Sequence, residues 1–141
     1  MTRRTATGSR SSVAQVGTGH PFGPPPCILV VDDEVTIVSL LATVLDDEGF
    51  RVIRAYDGEE AWGLVVQHRP QLVITDVSMP KLSGIDLLRR IRSVHALAPT
   101  PVILMSAAFR IDDDDSTTFL PKPFDLGPLL QIVKQNILVP N

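Results

Sequence analysis

Five polar side chains could do chemistry in this sequence, and each closely follows a short apolar run. Asp32 and Asp33 follow Ile28–Val31, Asp76 follows Leu72–Thr75, Ser106 follows Val102–Met105, and Lys122 comes just after Thr118–Leu120. If the three aspartates converge, each pair of carboxylates about 4 Å apart repels by roughly 4 kcal/mol at an effective dielectric near 20. Protonation or a cation must relieve that repulsion. Oxygen donors without a His or Cys cluster select a hard divalent ion, and Mg²⁺ binds one or two carboxylates while keeping waters and a phosphate oxygen. Lys122 adds a compact positive charge and Ser106 a hydroxyl donor, so two further groups could hold anionic oxygens beside the metal. A carboxylate such as Asp76 can attack phosphorus to give an acyl phosphate, with the developing charge stabilised by its neighbours. The chemistry implied is phosphoryl transfer onto the protein itself, dependent on Mg²⁺.

The elements that must position these groups alternate in type. After the run Ile28–Val31, residues Thr36–Asp47 carry Ile37, Val38, Leu40, Leu41, Val44 and Leu45 at helical spacing until Gly49. Arg51–Ala55 reads as a second strand, Glu59–His68 as a helix stopped by Pro70, and Leu72–Thr75 as a third strand. Ser83–Ser93 reads as a helix, Val102–Met105 as a fourth strand, Thr118–Leu120 as a short fifth, and Asp125–Leu138 as a final helix with Asp125 as its expected N-cap. Continuously apolar strands alternating with helices predict an α/β domain, a doubly wound parallel sheet covered on both faces. Such sheets place their chemistry just beyond the carboxyl ends of the strands, where all five polar groups fall.

These residues resemble the receiver domain of two-component response regulators. The resemblance is carried by Val30-Val31-Asp32-Asp33-Glu34, by Leu72-Val73-Ile74-Thr75-Asp76-Val77-Ser78-Met79-Pro80, by Met105-Ser106-Ala107 and by Phe119-Leu120-Pro121-Lys122-Pro123-Phe124. It extends over about Ile28–Leu138 and implies a five-stranded, flavodoxin-like receiver fold occupying residues 27–141. It implies that Asp76 accepts phosphate from a phosphohistidine on a sensor histidine kinase or histidine phosphotransfer protein. It also implies that Asp32, Asp33, Asp76 and the Ser78 carbonyl arrange Mg²⁺ and that Lys122 contacts the phosphoryl group. In the family the hydroxyl at Ser106 moves toward the phosphate and the aromatic at Phe119 turns inward as a switch, and the Lys122–Pro123 bond is cis. Blander roles stand beside these. A single strand-end aspartate such as Asp33 or Asp76 commonly caps the following helix, and Phe119 between Thr118 and Leu120 fits core packing as well as a switch.

Three features depart from the family pattern. The interval from Ser106 to Lys122 is shorter than usual by about six residues, one and a half turns at roughly 3.6 residues per turn. The stretch Phe109-Arg110-Ile111-Asp112-Asp113-Asp114-Asp115-Ser116-Thr117 repels itself and lacks an apolar stripe, so a shortened or missing fourth helix is expected there. Small residues, Ser78 and Ala108, stand two places after Asp76 and Ser106, positions that in the family influence how easily water reaches the phosphoryl group. Finally, Asn141 follows closely on the last helix, so the sequence reads as a stand-alone receiver that signals through a protein partner or works within a phosphorelay.

Composition narrows the remaining readings. Thirteen Lys and Arg stand against sixteen Asp and Glu in 141 residues, and three of the arginines precede Cys27, which leaves net −6 from Cys27 onward. No basic stripe exists for a phosphate backbone, so direct nucleic-acid binding is not expected. No apolar run approaches the roughly 20 residues that span a bilayer. Residues Met1–Pro26 lack the apolar stretch of an export signal, so no membrane insertion and a cytoplasmic location are expected. Their Thr, Ser, Gly, Arg and Pro content predicts a disordered tail. The single cysteine, Cys27, opens an apolar run and reads as a buried strand residue. Against the phosphoacceptor stand two alternatives. One is a receiver-like interaction module that works without phosphate. The other is a phosphatase, for which Asp76-Val77-Ser78 lacks the second acid.

Overall fold

The computed structural model describes residues 23–107 and 116–137. The predicted tail through residue 22, Ala108 and most of the segment expected to replace a fourth helix lie outside the described residues.

Among the described residues five strands and four helices follow one another in this order: β1 (Cys27–Val31), α1 (Val35–Asp47), β2 (Arg51–Ala55), α2 (Gly58–His68), β3 (Leu72–Asp76), α3 (Gly84–Ser93), β4 (Val102–Ser106), β5 (Thr117–Pro121) and α4 (Leu126–Ile137). The expected elements are all present, with ends displaced by a residue or so. All pairings are parallel and the strand order is β2-β1-β3-β4-β5. The order reverses between β1 and β3, so the crevice of the topological switch lies above their carboxyl ends.

Alternation along the strands builds two cores. Ile28, Val30, Leu72, Ile74, Ile103, Met105 and Leu120 pack with Val38, Leu41 and Leu45 of α1 and Leu129 and Val133 of α4. Leu29, Val31, Val73, Val102 and Leu104 pack on the other face with Ala61 and Val65 of α2 and Leu87 and Ile91 of α3. Both faces are covered, which is why β1, β3 and β4 are buried throughout and read as unbroken apolar runs. Cys27 is buried, and burial pushes its thiol pKa up, as a structural thiol requires.

Local chemistry bounds α1, α2 and α3. Gly49, at φ 96, lets Phe50 N–H reach the Leu45 carbonyl and Gly49 N–H the Asp46 carbonyl, a closure that stops α1 and turns buried Phe50 back onto the core. Asp57 accepts from Glu60 N–H at 2.8 Å while the Glu60 carboxylate accepts from Tyr56 N–H at 2.8 Å, fixing the start of α2. Ser83 accepts from Asp86 N–H at 3.1 Å and starts α3. Arg92, at the end of α3, donates to the carbonyls of Ala98, Thr100 and Ser116 and to Thr117 Oγ1 at 2.6–3.0 Å. One guanidinium thereby ties the α3–β4 connection to the start of β5.

Candidate functional site

Neither Asp33 nor Asp76 takes the capping role open to it. Glu34 occupies the N-cap of α1, and Ser83, not Asp76, caps α3. Asp76 is instead the last residue of β3, continuing the alternation of Leu72 and Ile74 onto the α1/α4 face. One step beyond the ends of β1 and β5, Asp32 and Lys122 continue the same alternation from Val30 and Leu120.

The three groups meet. Lys122 Nζ lies 2.9 Å from Asp32 Oδ2 and 3.0 Å from Asp76 Oδ1. Oxygens of Asp32, Asp33 and Asp76 all fall within 4.8 Å of one another. Asp32 is fully buried and Asp76 nearly so, whereas Asp33 is exposed. Asp32 Oδ1 also accepts from Glu34 N–H at 3.0 Å, so β1 leaves the sheet with that carboxylate fixed. Glu34 itself reaches Lys122, its Oε1 3.9 Å from Nζ.

Burial pushes the Asp76 carboxyl pKa up. The hydrogen bond from Lys122 pulls it back only in part, and the charges of Asp32 and Asp33 add to the rise. For Lys122 burial favours the neutral amine, but its bonds to Asp32 and Asp76 outweigh this and hold the ammonium above the ordinary lysine pKa. Among the described residues, Asp32, Asp33 and Asp76 therefore gather beside one ammonium that pairs with two of them, a surplus of negative charge on oxygen donors, which fits a hard divalent cation.

Ser106 and Phe119 lie on the other side of the sheet. Ser106 ends β4 on the alternation of Val102 and Leu104, and Phe119 pairs with Leu104 in register, so both belong to the α2/α3 face. Both are buried. The Ser106 carbonyl accepts from Lys122 N–H at 2.9 Å, so β4 fixes where the lysine leaves β5. The Lys122–Pro123 bond is cis, as expected. Ser78 stands exposed in the loop two residues after Asp76.

That loop is set by Gly84. A β-carbon there would collide with the Asp76 carbonyl, so only glycine lets α3 start against the end of β3. Gly84 N–H also donates to the Val77 carbonyl at 2.8 Å. Neither Gly84 nor the reach of Glu34 to Lys122 was expected from sequence. Ser83-Gly84 at a helix start was the only local signal for the glycine, and for Glu34 it was adjacency to the aspartates.

The chain matches the family model of the response regulator receiver domain over residues 28–134. It is 40% identical over 104 residues to the response regulator GtcR of Aneurinibacillus migulanus, covering 70% of this chain and 42% of that protein. To the transcriptional regulatory protein CpxR of Escherichia coli it is 41% identical over 107 residues, covering 70% of this chain and 43% of that protein. The chain thus spans less than half the length of these two relatives. The solved structure of the chemotaxis protein CheY4 of Vibrio cholerae superposes with a TM-score of 0.73 at 26% identity, over 80% of this chain and 99% of that one. With a β2-β1-β3-β4-β5 parallel sheet and acids and lysine gathered at its carboxyl edge, this chain belongs to the response regulator receiver domain family.

Proposed function

We propose that Asp76 accepts a phosphoryl group from a phosphohistidine of a sensor histidine kinase or histidine phosphotransfer protein, in a reaction dependent on Mg²⁺. The observation that carries this reading is the Lys122 ammonium held between Asp32 and Asp76, with Asp33 alongside. Receiver domains take phosphate from such donors and bind Mg²⁺ through acidic residues. An Asp76 oxygen attacks phosphorus as the P–N bond to the donor imidazole breaks, and the bonding pair returns to the imidazole nitrogen. Asp32, Asp33, Asp76 and the Ser78 carbonyl would hold the cation, which supplies positive charge to the phosphoryl oxygens. Lys122 pairs with a phosphoryl oxygen, and the Ser106 hydroxyl donates to another across the sheet edge. Phe119 shares the face of Ser106 and is the residue through which that movement would reach the surface.

A protein donor has a surface to meet. Ile37, Leu40 and Leu41 of α1 and Pro123, Phe124 and Leu126 line, with Lys122, an apolar cavity of about 290 Å³. Val35 and Leu40 are exposed on the same helix. We assign the chain to two-component signalling by protein contact or within a phosphorelay, in the cytoplasm. Among the described residues no helix is long and apolar enough to cross a membrane. The segment before Cys27 is read as a tail to a receiver domain of residues 27–141.

Intact mass after incubation with Mg²⁺ and a small acyl phosphate donor tests the proposal. One phosphoryl adduct is expected on the wild-type protein, and none on Asp76→Asn or with EDTA. An adduct retained by Asp76→Asn would overturn the assignment. Absence of any adduct with the small donor and with the cognate kinase, while Mg²⁺ still binds, would overturn the assignment and favour the phosphate-independent interaction module.

A further inference from the structure

Glu34 is at an unusual place for what it does. It occupies the N-cap of α1 but makes no side-chain capping bond, although a side-chain oxygen there normally accepts from the first turn. Its N–H is committed to Asp32 Oδ1 at 3.0 Å, which fixes the backbone beside the acids. Its carboxylate lies toward Lys122, 3.9 Å from Nζ, and its side chain is 63% exposed against 15% for the lysine. Glu34 is also outside the group of carboxylates that could share a cation.

Lys122 has two closer partners, Asp32 and Asp76, and both belong to that group. Once these two coordinate a divalent cation, they have less charge to offer the ammonium. Among the described residues, Glu34 is then the remaining carboxylate within reach. We propose that Glu34 is a positioning residue that receives Lys122 when Asp32 and Asp76 turn to a divalent cation, keeping the ammonium at the mouth of the site. This inference rests on the phosphoacceptor reading.

A charge at Glu34 would also attract Mg²⁺ directly, so the test must separate the two effects. Mg²⁺ affinity is measured by calorimetric titration with MgCl₂ for wild type, Glu34→Gln, Lys122→Met and the double variant. An exposed ion pair of this kind is worth about a threefold change in a binding constant. Glu34→Gln is expected to weaken Mg²⁺ about threefold more when Lys122 is present than in the Lys122→Met background, where the competing ammonium is gone and only the direct charge effect remains. Equal weakening in both backgrounds would mean that Glu34 acts only as a nearby charge and would overturn the inference, as would no weakening in either. A wild-type protein that binds no Mg²⁺ would instead overturn the metal-dependent reading as a whole. If Mg²⁺ binds and Asp76 is phosphorylated but the weakening is equal, only the role of Glu34 fails.

Discussion

Replacing Asp76, the proposed acceptor, by asparagine is expected to stabilise the folded protein at neutral pH in the absence of divalent metal. Asp76 is 7% exposed. An Asp32 oxygen within 4.8 Å costs about 3.5 kcal/mol at an effective dielectric near 20, and Lys122 at 3.0 Å returns about 5.5 kcal/mol. Exposed Asp33, with an oxygen in the same group, adds a further repulsion weakened by solvent. Attraction and repulsion come close to cancelling, so desolvation of the buried carboxylate decides the sign. Asparagine keeps the shape and an oxygen for Lys122 while removing the charge. The expected gain is about 1–2 kcal/mol, of the kind seen where a site holds groups that folding alone would not place together.

The pH dependence follows from the raised Asp76 pKa. A folded carboxyl that binds its proton more readily than the unfolded one makes stability fall as pH rises, from the ordinary carboxylate range up through the raised folded pKa. The advantage of Asp76→Asn is therefore full above the folded pKa and fades as pH drops toward the ordinary range. Urea unfolding followed by fluorescence of Trp62, the single tryptophan, at neutral and acidic pH in EDTA measures it. With Mg²⁺ at ten times its Kd the wild type regains about 1.4 kcal/mol, so the gap closes or reverses. A variant less stable than wild type at neutral pH in EDTA, or a gain that does not change with pH, would refute the reasoning.

Two further substitutions probe the supports of the site. Gly84→Ala places a methyl against the Asp76 carbonyl, so a loss of about 2 kcal/mol in urea is expected together with slower phosphorylation of Asp76 by a small donor. Arg92→Met removes the donor shared by Ala98, Thr100, Ser116 and Thr117 and is expected to cost about 2–3 kcal/mol. Arg92→Lys recovers only part of that loss in the same urea titration, because an ammonium lacks the planar fork.

Much of the architecture was legible because each buried strand is a short run of Val, Ile and Leu, and each helix has an apolar stripe bounded by Gly, Pro, Ser or Asp. The convergence of Asp32, Asp33, Asp76 and Lys122 was legible for the same reason: strand ends in a parallel sheet share one edge. What sequence could not yield was side-chain direction through tertiary contact. Arg92 reads as an ordinary polar residue on an amphipathic helix, and only the fold brings Ser116 and Thr117 to its guanidinium. Gly84 reads as a weak helix residue until the end of β3 is placed against it. Glu34 reads as one more acid of a run, and its difference from Asp33 appears only when α1 begins and turns it toward Lys122.

The alternation of the strands gives the site two sides with different work. Asp32, Asp76 and Lys122 project from the α1/α4 face, while Ser106 and Phe119 belong to the α2/α3 face. Within the sheet the backbone ladder separates those faces, and no side chain could act on both. Past the last residues of β3 and β4 the ladder stops, and Val77 N–H bonding the Met105 carbonyl at 2.9 Å is the last rung between them. In the proposed function a phosphoryl group on Asp76 would extend beyond that rung, where Lys122 would approach its oxygens from one face and Ser106 from the other. In the proposed reaction the position that permits the chemistry is thus one where a charge event on the α1/α4 face would be felt on the α2/α3 face, the face to which Phe119 belongs.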